Sequence, residues 1–389
     1  MVLVVVFGGG GAAVAASGSQ VAGGGTQLAC MPWARWNAFK RKFIDTSGRV
    51  VDLGSADSRT VSEGQAYGLF FALVANDRPA FEQLLLATQD YLSDGALGQR
   101  LPAWLWGRRA DGTFAVLDKN TASDADLWIA YSLLQAGRLW RERRFTELGR
   151  LVAKRILSNE AAQLPGMGWT ILPGTAGFHV DKSTWRLNPS YYPPQVLRGI
   201  AAALPDQPRW SAVVASSLRI LLETAPRGFA PDWVLYRYAD GSGQFAPDED
   251  VDAKGSYNAI RVYLWIGMLS SEDQQASRLL RLYHPMAETI GNNGFPPEEV
   301  NTVTGVPGEN SGNGGFSAAV VPFLLFEGES ELAEAQIARA QRLEARTPPG
   351  YYSEVLSLFG LGWQEGRFHF SADGRLVVSW HDLCARGSR

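Results

Sequence analysis

The sequence predicts an all-α protein built as a ring of helical hairpins, and three observations lead to that fold. Twelve segments carry apolar residues at helical spacing. These segments alternate along the chain between one that is apolar all round and one with a charged face. A helix that is apolar all round is buried, whereas a helix with a polar face lies outside. Long aromatic loops precede several of the apolar segments. The simplest arrangement is an (α/α) six-hairpin toroid, with six inner helices wrapped by six outer ones.

The predicted helices follow one another closely along the chain. The even-numbered ones are inner helices, as in 64–71, and the odd-numbered ones are outer helices, as in the charged stretch 329–334. A small β-hairpin is expected in the tail, within 363–382. In chain order the predicted helices are 33–44, 62–76, 78–93, 124–140, 143–157, 193–204, 208–224, 256–269, 272–290, 314–326, 329–345 and 350–362.

Composition narrows the class of function. The chain has 389 residues and a formal net charge of −3, from 36 basic and 39 acidic residues. Such a balance offers no basic surface for nucleic acid or an anionic membrane. The chain is rich in aromatic residues, with 13 Trp, 12 Tyr and 18 Phe. Rings of this kind fill a core, but they also suit a groove that stacks on sugars or other flat ligands.

Residues 1–29 differ from the rest and are interpreted as an export leader. They are apolar and rich in Gly and Ala, with a small-residue pattern at Ala13-Val14-Ala15 that fits a cleavage site, although a basic start is missing. A lipid-anchor interpretation of Leu28-Ala29-Cys30 is weaker. Residues 30–389 are then expected to form a single domain, located in the periplasm or secreted.

Polar residues mark the start of the second helix, which reads Ser62-Glu63-Gly64-Gln65. A Ser followed three residues later by Gln forms a capping box. Glu63 therefore lies in the first turn of a predicted inner helix. A carboxylate in that place can simply oppose the helix dipole, so a purely structural role stays open.

The fourth helix begins in a similar way. Ser123 is a good N-cap, and Asp126 lies where a capping box places an acidic side chain. We therefore interpret Asp126 as a capping residue and Asp124 as the carboxylate that contacts a substrate. Because all inner helices run in the same direction, Glu63, Asp124 and the early Asn258 of the eighth helix should meet at one mouth of the ring. Cleavage of a glycosidic bond needs two such acidic groups, one to protonate the leaving oxygen and one to act as base or nucleophile.

The combined motifs resemble glycoside hydrolase family 8 over nearly the whole span from Cys30 to Cys384, in particular a branch that acts in bacterial cellulose synthesis. The main signature is the pair of helix starts at Ser62 and Ser123. Supporting runs are 75–78, 188–191, 255–257, 259–262, 294–298 and 315–319.

The resemblance implies inverting hydrolysis of β-1,4-glucan, with cellulose as polymer and an association with the cellulose synthase machinery. Glu63 matches the general acid of the family, and Asp124 matches a carboxylate that binds and distorts the sugar. Tyr257 and Arg261 match residues beside the base. Loop aromatics are expected to serve as sugar platforms, Trp104 above all, together with Trp106, Trp185, Tyr191 and Tyr192.

Asn258 departs from the family pattern, which has an Asp serving as general base. An amide cannot take a proton from water as a carboxylate can, although it can hold the water. Another carboxylate can replace the base, with candidates in the run 248–252 or at Glu309. Alternatively, the chain binds glucan with little turnover, or the sequence contains an error. A separate interpretation concerns the substrate: the chain is an enzyme that acts on chitosan or xylan and not on cellulose.

Cysteine and histidine usage adds two expectations. Cys30 and Cys384 are the two cysteines and are expected to form a disulfide that ties the termini together, although two unpaired thiols remain the alternative. The four histidines show no spacing typical of metal ligands, so neither a metal nor a cofactor is expected.

Overall fold

The computed structural model describes residues 31–248, 250–346 and 350–382. The predicted leader, Glu249 and the two cysteines of the predicted disulfide lie outside these residues. The α-helices are α1 (Ala34–Phe43), α2 (Ser62–Val74), α3 (Arg78–Ala87), α4 (Ser123–Leu139), α5 (Arg143–Asn159), α6 (Pro194–Ala203), α7 (Arg209–Glu223), α8 (Ile260–Gly267), α9 (Ala276–Tyr283), α10 (Pro285–Asn293), α11 (Gly314–Glu327), α12 (Ser330–Arg346), α13 (Tyr351–Gln364) and α14 (Ser379–Asp382).

The six inner helices are α2, α4, α6, α8, α11 and α13, which confirms the predicted toroid. Consecutive inner helices contact each other along the chain. The last and first are joined by stacked rings of Phe70 and Phe359, whose centroids lie 5.4 Å apart. Every residue of α4 except Arg138 is buried, whereas the outer helix α5 buries a single apolar stripe. The inner helices therefore form the core, as the alternation in the sequence predicts.

Glycines allow the inner helices to approach each other closely. A Cβ on Gly360 of α13 would lie 1.9 Å from the backbone oxygen of Ala318 in α11. A Cβ on Gly267 of α8 would lie 2.1 Å from the backbone nitrogen of Phe323, also in α11. No larger side chain fits at these crossings, since the partner in each case is backbone. The small residues are thus a condition for closing the ring.

Most predicted helices differ from the observed ones by one or two residues at their ends, and two of the others differ more. The predicted helix 272–290 is wrong as one element, because Pro285 lacks the N–H that would continue α9 and instead begins α10. The predicted helix 256–269 begins only at Ile260, so Asn258 lies in a turn before α8. This turn places the Asn258 side chain next to the helix start rather than inside it.

Short strands occupy the long loops and were not expected from the sequence, apart from the tail hairpin. Strands β6 (His179–Asp181), β7 (Thr184–Leu187), β8 (Val234–Ala239) and β9 (Ser242–Pro247) form an antiparallel sheet in that order. The predicted tail hairpin is confirmed as β12 (Phe368–Phe370) paired with β13 (Leu376–Val378). The strands are β1 (Thr60–Val61), β2 (Leu105–Arg108), β3 (Phe114–Asp118), β4 (Ala161–Leu164), β5 (Gly168–Ile171), β6 (His179–Asp181), β7 (Thr184–Leu187), β8 (Val234–Ala239), β9 (Ser242–Pro247), β10 (Lys254–Gly255), β11 (Val300–Asn301), β12 (Phe368–Phe370) and β13 (Leu376–Val378).

None of the helices in the described ranges is both long and apolar enough to cross a membrane.

Candidate active site

The side chain of Arg261 is the centre of the polar cluster at the mouth of the ring. It lies in the first turn of α8 and is 2% exposed. Its Nη1 donates hydrogen bonds to Glu63 Oε2 at 2.6 Å and to Asp124 Oδ2 at 2.9 Å. The same nitrogen lies 3.0 Å from the hydroxyl of Tyr67. One guanidinium nitrogen therefore joins the starts of α2 and α4.

The second terminal nitrogen of Arg261 joins two further segments. Nη2 donates to Asn258 Oδ1 at 2.8 Å and to Ser190 Oγ at 3.0 Å. The ring of Tyr191 packs on the guanidinium, with the centroid 5.5 Å from Cζ. The structure thus brings Glu63, Asp124 and Asn258 to one place, as the order of helix starts predicts. Ser190 was part of a motif in the sequence, but its role as an Arg261 partner was not foreseen.

The start of α2 is not held by the predicted capping box. Val61 occupies the N-cap position without a side-chain cap, and the Ser62 hydroxyl is buried without a partner among the described residues. Gln65 instead accepts the backbone N–H of Val50 at 2.5 Å and donates to the oxygen of Gly48 at 3.1 Å. The capping prediction is wrong because the Gln65 side chain hydrogen-bonds to the backbone of a neighbouring loop and not to that of its own helix.

The start of α4 also lacks the predicted cap. Ala122 is the N-cap, and neither Ser123 nor Asp126 caps the helix. Asp126 is fully buried and interacts electrostatically with the carboxyl of Glu160, which accepts the hydroxyl of Thr121. Burial, followed by the negative charge of Glu160, raises the pKa of Asp126 well above its ordinary value. Asp126 is therefore one half of a buried carboxyl pair with a raised pKa, and not the cap of α4.

Glu63 has the protonation behaviour of a general acid. Burial raises its pKa to about 7, and the negative charge of Asp124 acts in the same direction, whereas Arg261 opposes both. The Glu63 side chain is 20% exposed, compared with 4% for Asp124. Tyr351 also donates to Glu63 Oε1, at 3.3 Å. A carboxyl that keeps its proton near neutral pH and remains accessible can protonate a leaving oxygen.

Asp232 is a further carboxylate at the site that sequence reasoning missed. Its Oδ1 accepts three backbone N–H groups of the turn before α8, from Ser256 at 2.9 Å, Asn258 at 3.0 Å and Ala259 at 2.7 Å. Burial raises the pKa of Asp232, although these hydrogen bonds and Arg261 act against it. No spacing in the sequence links Asp232 to this turn, because the contact is tertiary.

Several aromatic rings remain available at the mouth. Trp104 is partly exposed, and its backbone oxygen accepts the N–H of Ser62, directly before Glu63. Tyr257 is 45% exposed, and Tyr191 is partly exposed beside Trp233, with centroids 6.1 Å apart. The role of a sugar platform stays a prediction for Trp104 and Tyr191, and Tyr257 stays predicted as a residue beside the base.

Trp106 does not offer a free ring face. It is 9% exposed and stacks on Phe114, with centroids 5.0 Å apart. Arg49 also packs on the ring, with Cζ 4.4 Å from the centroid. The expectation that Trp106 is a sugar platform is therefore contradicted, because protein side chains already cover the indole.

Trp185 and Tyr192 are likewise part of the protein interior. Trp185 is 6% exposed and stacks on the ring of His179, with centroids 5.1 Å apart. Tyr192 is 1% exposed, and its hydroxyl donates to the backbone oxygen of Ile171 at 2.6 Å. Neither ring can stack on a sugar in this arrangement, so the sequence prediction is wrong for both.

The carboxylates proposed as a replacement base have other surroundings. Arg186 of β7 binds Asp248 through two nitrogens and Asp250 through Nη2 at 2.6 Å. Asp252 and Glu309 are exposed. None of these four carboxylates hydrogen-bonds to the Arg261 cluster within the part of the chain that the structure describes. The same part of the chain contains no group of three or more acidic, His or Cys side chains placed to hold a metal.

The fold and the cluster together fit one class of protein. A toroid of helical hairpins carries, at its aromatic mouth, one carboxyl with a raised pKa and one carboxylate paired with Arg261, and these are the groups that an acid-catalysed glycoside hydrolase requires. The comparison with known families agrees, since residues 22–366 match "Glycosyl hydrolases family 8". The chain belongs to this family of glycoside hydrolases.

Individual relatives match over nearly their whole length. An endoglucanase of Salmonella typhi is 46% identical over 360 residues, which cover 92% of this chain and 94% of the relative. An endoglucanase of Xanthomonas axonopodis pv. citri is 47% identical and covers 90% of each chain. The crystal structure of an endo-1,4-D-glucanase from Vibrio fischeri superimposes with a TM-score of 0.83 at 43% identity, covering 90% of this chain and 99% of that chain.

Proposed function

We propose that the protein is an endo-acting β-1,4-glucanase that hydrolyses cellulose chains with inversion. The observation that carries this proposal is the Glu63–Arg261–Asp124 cluster, in which burial and Asp124 hold the pKa of Glu63 at about 7. The names of the similar endoglucanases support glucan as the substrate. Glu63 donates its proton to the glycosidic oxygen while water attacks the anomeric carbon from the opposite face.

Reducing-end release from carboxymethylcellulose tests this proposal. The wild-type protein is expected to release reducing ends, and Glu63→Gln is expected to lose a factor of about 10²–10⁴, because an amide has no acidic proton to give. Cellopentaose binding by both proteins serves as the control for an intact groove. Equal activity of Glu63→Gln and wild type would refute the assignment of the acid.

A second candidate function rests on Asn258. Its amide cannot accept a proton, so the chain can be a glucan-binding protein with little turnover. An inert wild type that binds cellopentaose, together with activity gained in Asn258→Asp, would favour this alternative. Chitosan and xylan assayed beside carboxymethylcellulose decide between the polymers.

We further propose that the chain is exported to the periplasm or secreted, and that it assists cellulose synthesis in contact with the synthase. The apolar leader pattern of residues 1–29 supports export, and an oxidising compartment would permit a disulfide between Cys30 and Cys384. Cell fractionation and the mass of the non-reduced protein test these points. A full-length protein found in the cytoplasm with two free thiols would contradict them.

A further inference from the structure

The reaction needs a proton acceptor that Asn258 does not provide. Its Oδ1 already accepts a hydrogen bond from Arg261 Nη2 at 2.8 Å. The remaining amide hydrogens can only donate, for example to the oxygen of a water molecule. Asn258 can therefore orient a water but cannot activate it. Inversion of the anomeric centre requires a carboxylate that takes the proton from this water.

The position of Asp232 meets this requirement. Asp232 precedes β8, and its backbone N–H donates to the oxygen of Lys254 at 2.8 Å. This contact ties it to the segment that leads into the turn 256–259. Its side chain then reaches the backbone nitrogen of Asn258 at 3.0 Å. The carboxylate thus lies against the residue that would hold the water.

The two oxygens of Asp232 have different environments. Oδ1 accepts three backbone N–H groups, which fix the orientation of the carboxylate. Among the described residues, the hydrogen bonds to this side chain all end on Oδ1, and none ends on Oδ2. Asp232 is 9% exposed. A rigid, largely desolvated carboxylate with one oxygen left over is suited to receive a proton.

Glu63 and the turn that Asp232 contacts are bound by different terminal nitrogens of Arg261. Nη1 of Arg261 holds Glu63, whereas Nη2 holds Asn258, the residue next to Asp232. The charge of Arg261 acts on Asp232 as well. Glu63 is thus bound to one terminal nitrogen of Arg261, and the turn that Asp232 contacts is bound to the other; inversion requires an acid and a base at separate positions.

We propose that Asp232 is the general base of this chain, an inference that rests on the proposed glucanase function. Water held by the Asn258 amide attacks the anomeric carbon, and its proton passes to Oδ2 of Asp232. The glycosidic bond breaks at the same time, and the leaving oxygen takes the proton of Glu63. One proton is lost by Glu63 and one is gained by Asp232, so both return to their starting states by exchange with solvent.

Glu298 is the competing carboxylate. It is partly exposed and accepts the hydroxyl of Tyr257 at 2.8 Å. This contact occupies one of its oxygens and places it on the β11 side of the turn. Asp232 is favoured because its carboxylate accepts the backbone N–H of Asn258 itself, whereas the Glu298 carboxylate accepts the hydroxyl of Tyr257. Separate substitutions of Asp232 and Glu298 distinguish the two candidates.

A double-mutant cycle tests the proposal with carboxymethylcellulose as substrate. Asp232→Asn keeps an oxygen that can accept the three N–H groups, since Asn and Asp are comparable as caps. In the wild-type background we expect kcat to fall by about 10²–10⁴. In the Asn258→Asp background the new carboxylate supplies a base. Asp232→Asn should therefore lower kcat by less than about tenfold in that background.

The pattern of losses distinguishes a base from a structural cap. If Asp232 only fixes the turn, its substitution costs the same factor in both backgrounds, and the proposal is refuted. It is also refuted if Glu298→Gln, and not Asp232→Asn, shows the loss that Asn258→Asp relieves. Cellopentaose binding by every variant shows that the groove is intact. An inert wild type would refute the glucanase function and this proposal together, whereas failure of this proposal alone leaves the wild type active.

Discussion

Arg261 shows at the scale of single residues how the chain stabilises buried acids. Glu63 and Asp124 approach the same guanidinium nitrogen, and each would be costly to bury as an unpaired charge. The positive charge does not fully offset burial, so the pKa of Glu63 is still raised to about 7. The result is an acid that is still substantially protonated up to about pH 7 and a neighbour, Asp124, that raises its pKa further.

This protonation state predicts the pH dependence of the enzyme. Because Glu63 must carry its proton, kcat/KM should fall about tenfold per pH unit above about pH 7. Asp124→Asn removes a negative charge that raises the pKa of Glu63, so this alkaline limb should move to lower pH in the residual activity of the variant. Rate profiles of the two proteins provide the measurement. A limb that stays in place or moves upward would show that the group responsible is not Glu63.

At the scale of elements, the carboxyl pair Asp126 and Glu160 joins the start of α4 to the end of α5. Thr121 donates to Glu160 and accepts the N–H of Thr175 at 3.1 Å, which extends the connection to a loop. Burial raises the pKa of Glu160 to about 7. Asp126 lies in the same first turn of α4 as Asp124, so the pair belongs to the segment that carries this carboxylate.

The pair predicts how stability depends on pH. A carboxyl whose pKa is raised on folding stabilises the folded state at low pH, and this contribution is lost as the pH rises from about 4.5 to about 7. Glu160→Gln removes the titration, so it should raise the free energy of unfolding by roughly 1–3 kcal/mol at pH 8 relative to wild type, and by less at pH 5. Urea unfolding at both pH values measures this difference.

An exposed residue of the same helix is the control. Glu147→Gln changes a surface side chain of α5 and should leave the pH dependence of unfolding as in wild type. If Glu160→Gln behaves like Glu147→Gln, the buried pair does not titrate as described.

The elements also show what the sequence could predict. The alternation between segments that are apolar all round and segments with a charged face was enough to predict α4 as an inner helix. The role of Asp126 could not be predicted, because a Ser–Asp pair at a helix start is typical of a cap and only the tertiary structure reveals Glu160. Asp232 was missed for the same reason, since its partners lie in a distant turn. Strands such as β7 and β8 pair residues far apart in the chain, and this pairing leaves no local pattern.

At the scale of the whole molecule, the ring depends on close contact between inner helices. Gly360→Ala would place a Cβ 1.9 Å from the backbone oxygen of Ala318, so α11 and α13 would have to separate. We expect a loss of about 2–4 kcal/mol in the free energy of unfolding, as for strained core substitutions.

A helical glycine of an outer helix is the matched control. In Gly291→Ala the nearest atom, in Leu332, would lie 3.7 Å from the new Cβ, which is ordinary contact. This substitution should leave stability unchanged or raise it by up to about 1 kcal/mol, because Ala favours helix. Thermal unfolding of both variants measures the effect. Equal melting temperatures would contradict the account of the closed ring.

The direct test of the whole account is the hydrolysis of cellopentaose followed by ¹H NMR in wild type and in Glu63→Gln. We predict that the new reducing ends in wild type appear first as the α-anomer and then mutarotate, and that Glu63→Gln releases almost none. New ends that appear first as the β-anomer would contradict inversion. Undiminished release by Glu63→Gln, or none by wild type, would contradict an active site built on the Glu63–Arg261–Asp124 cluster.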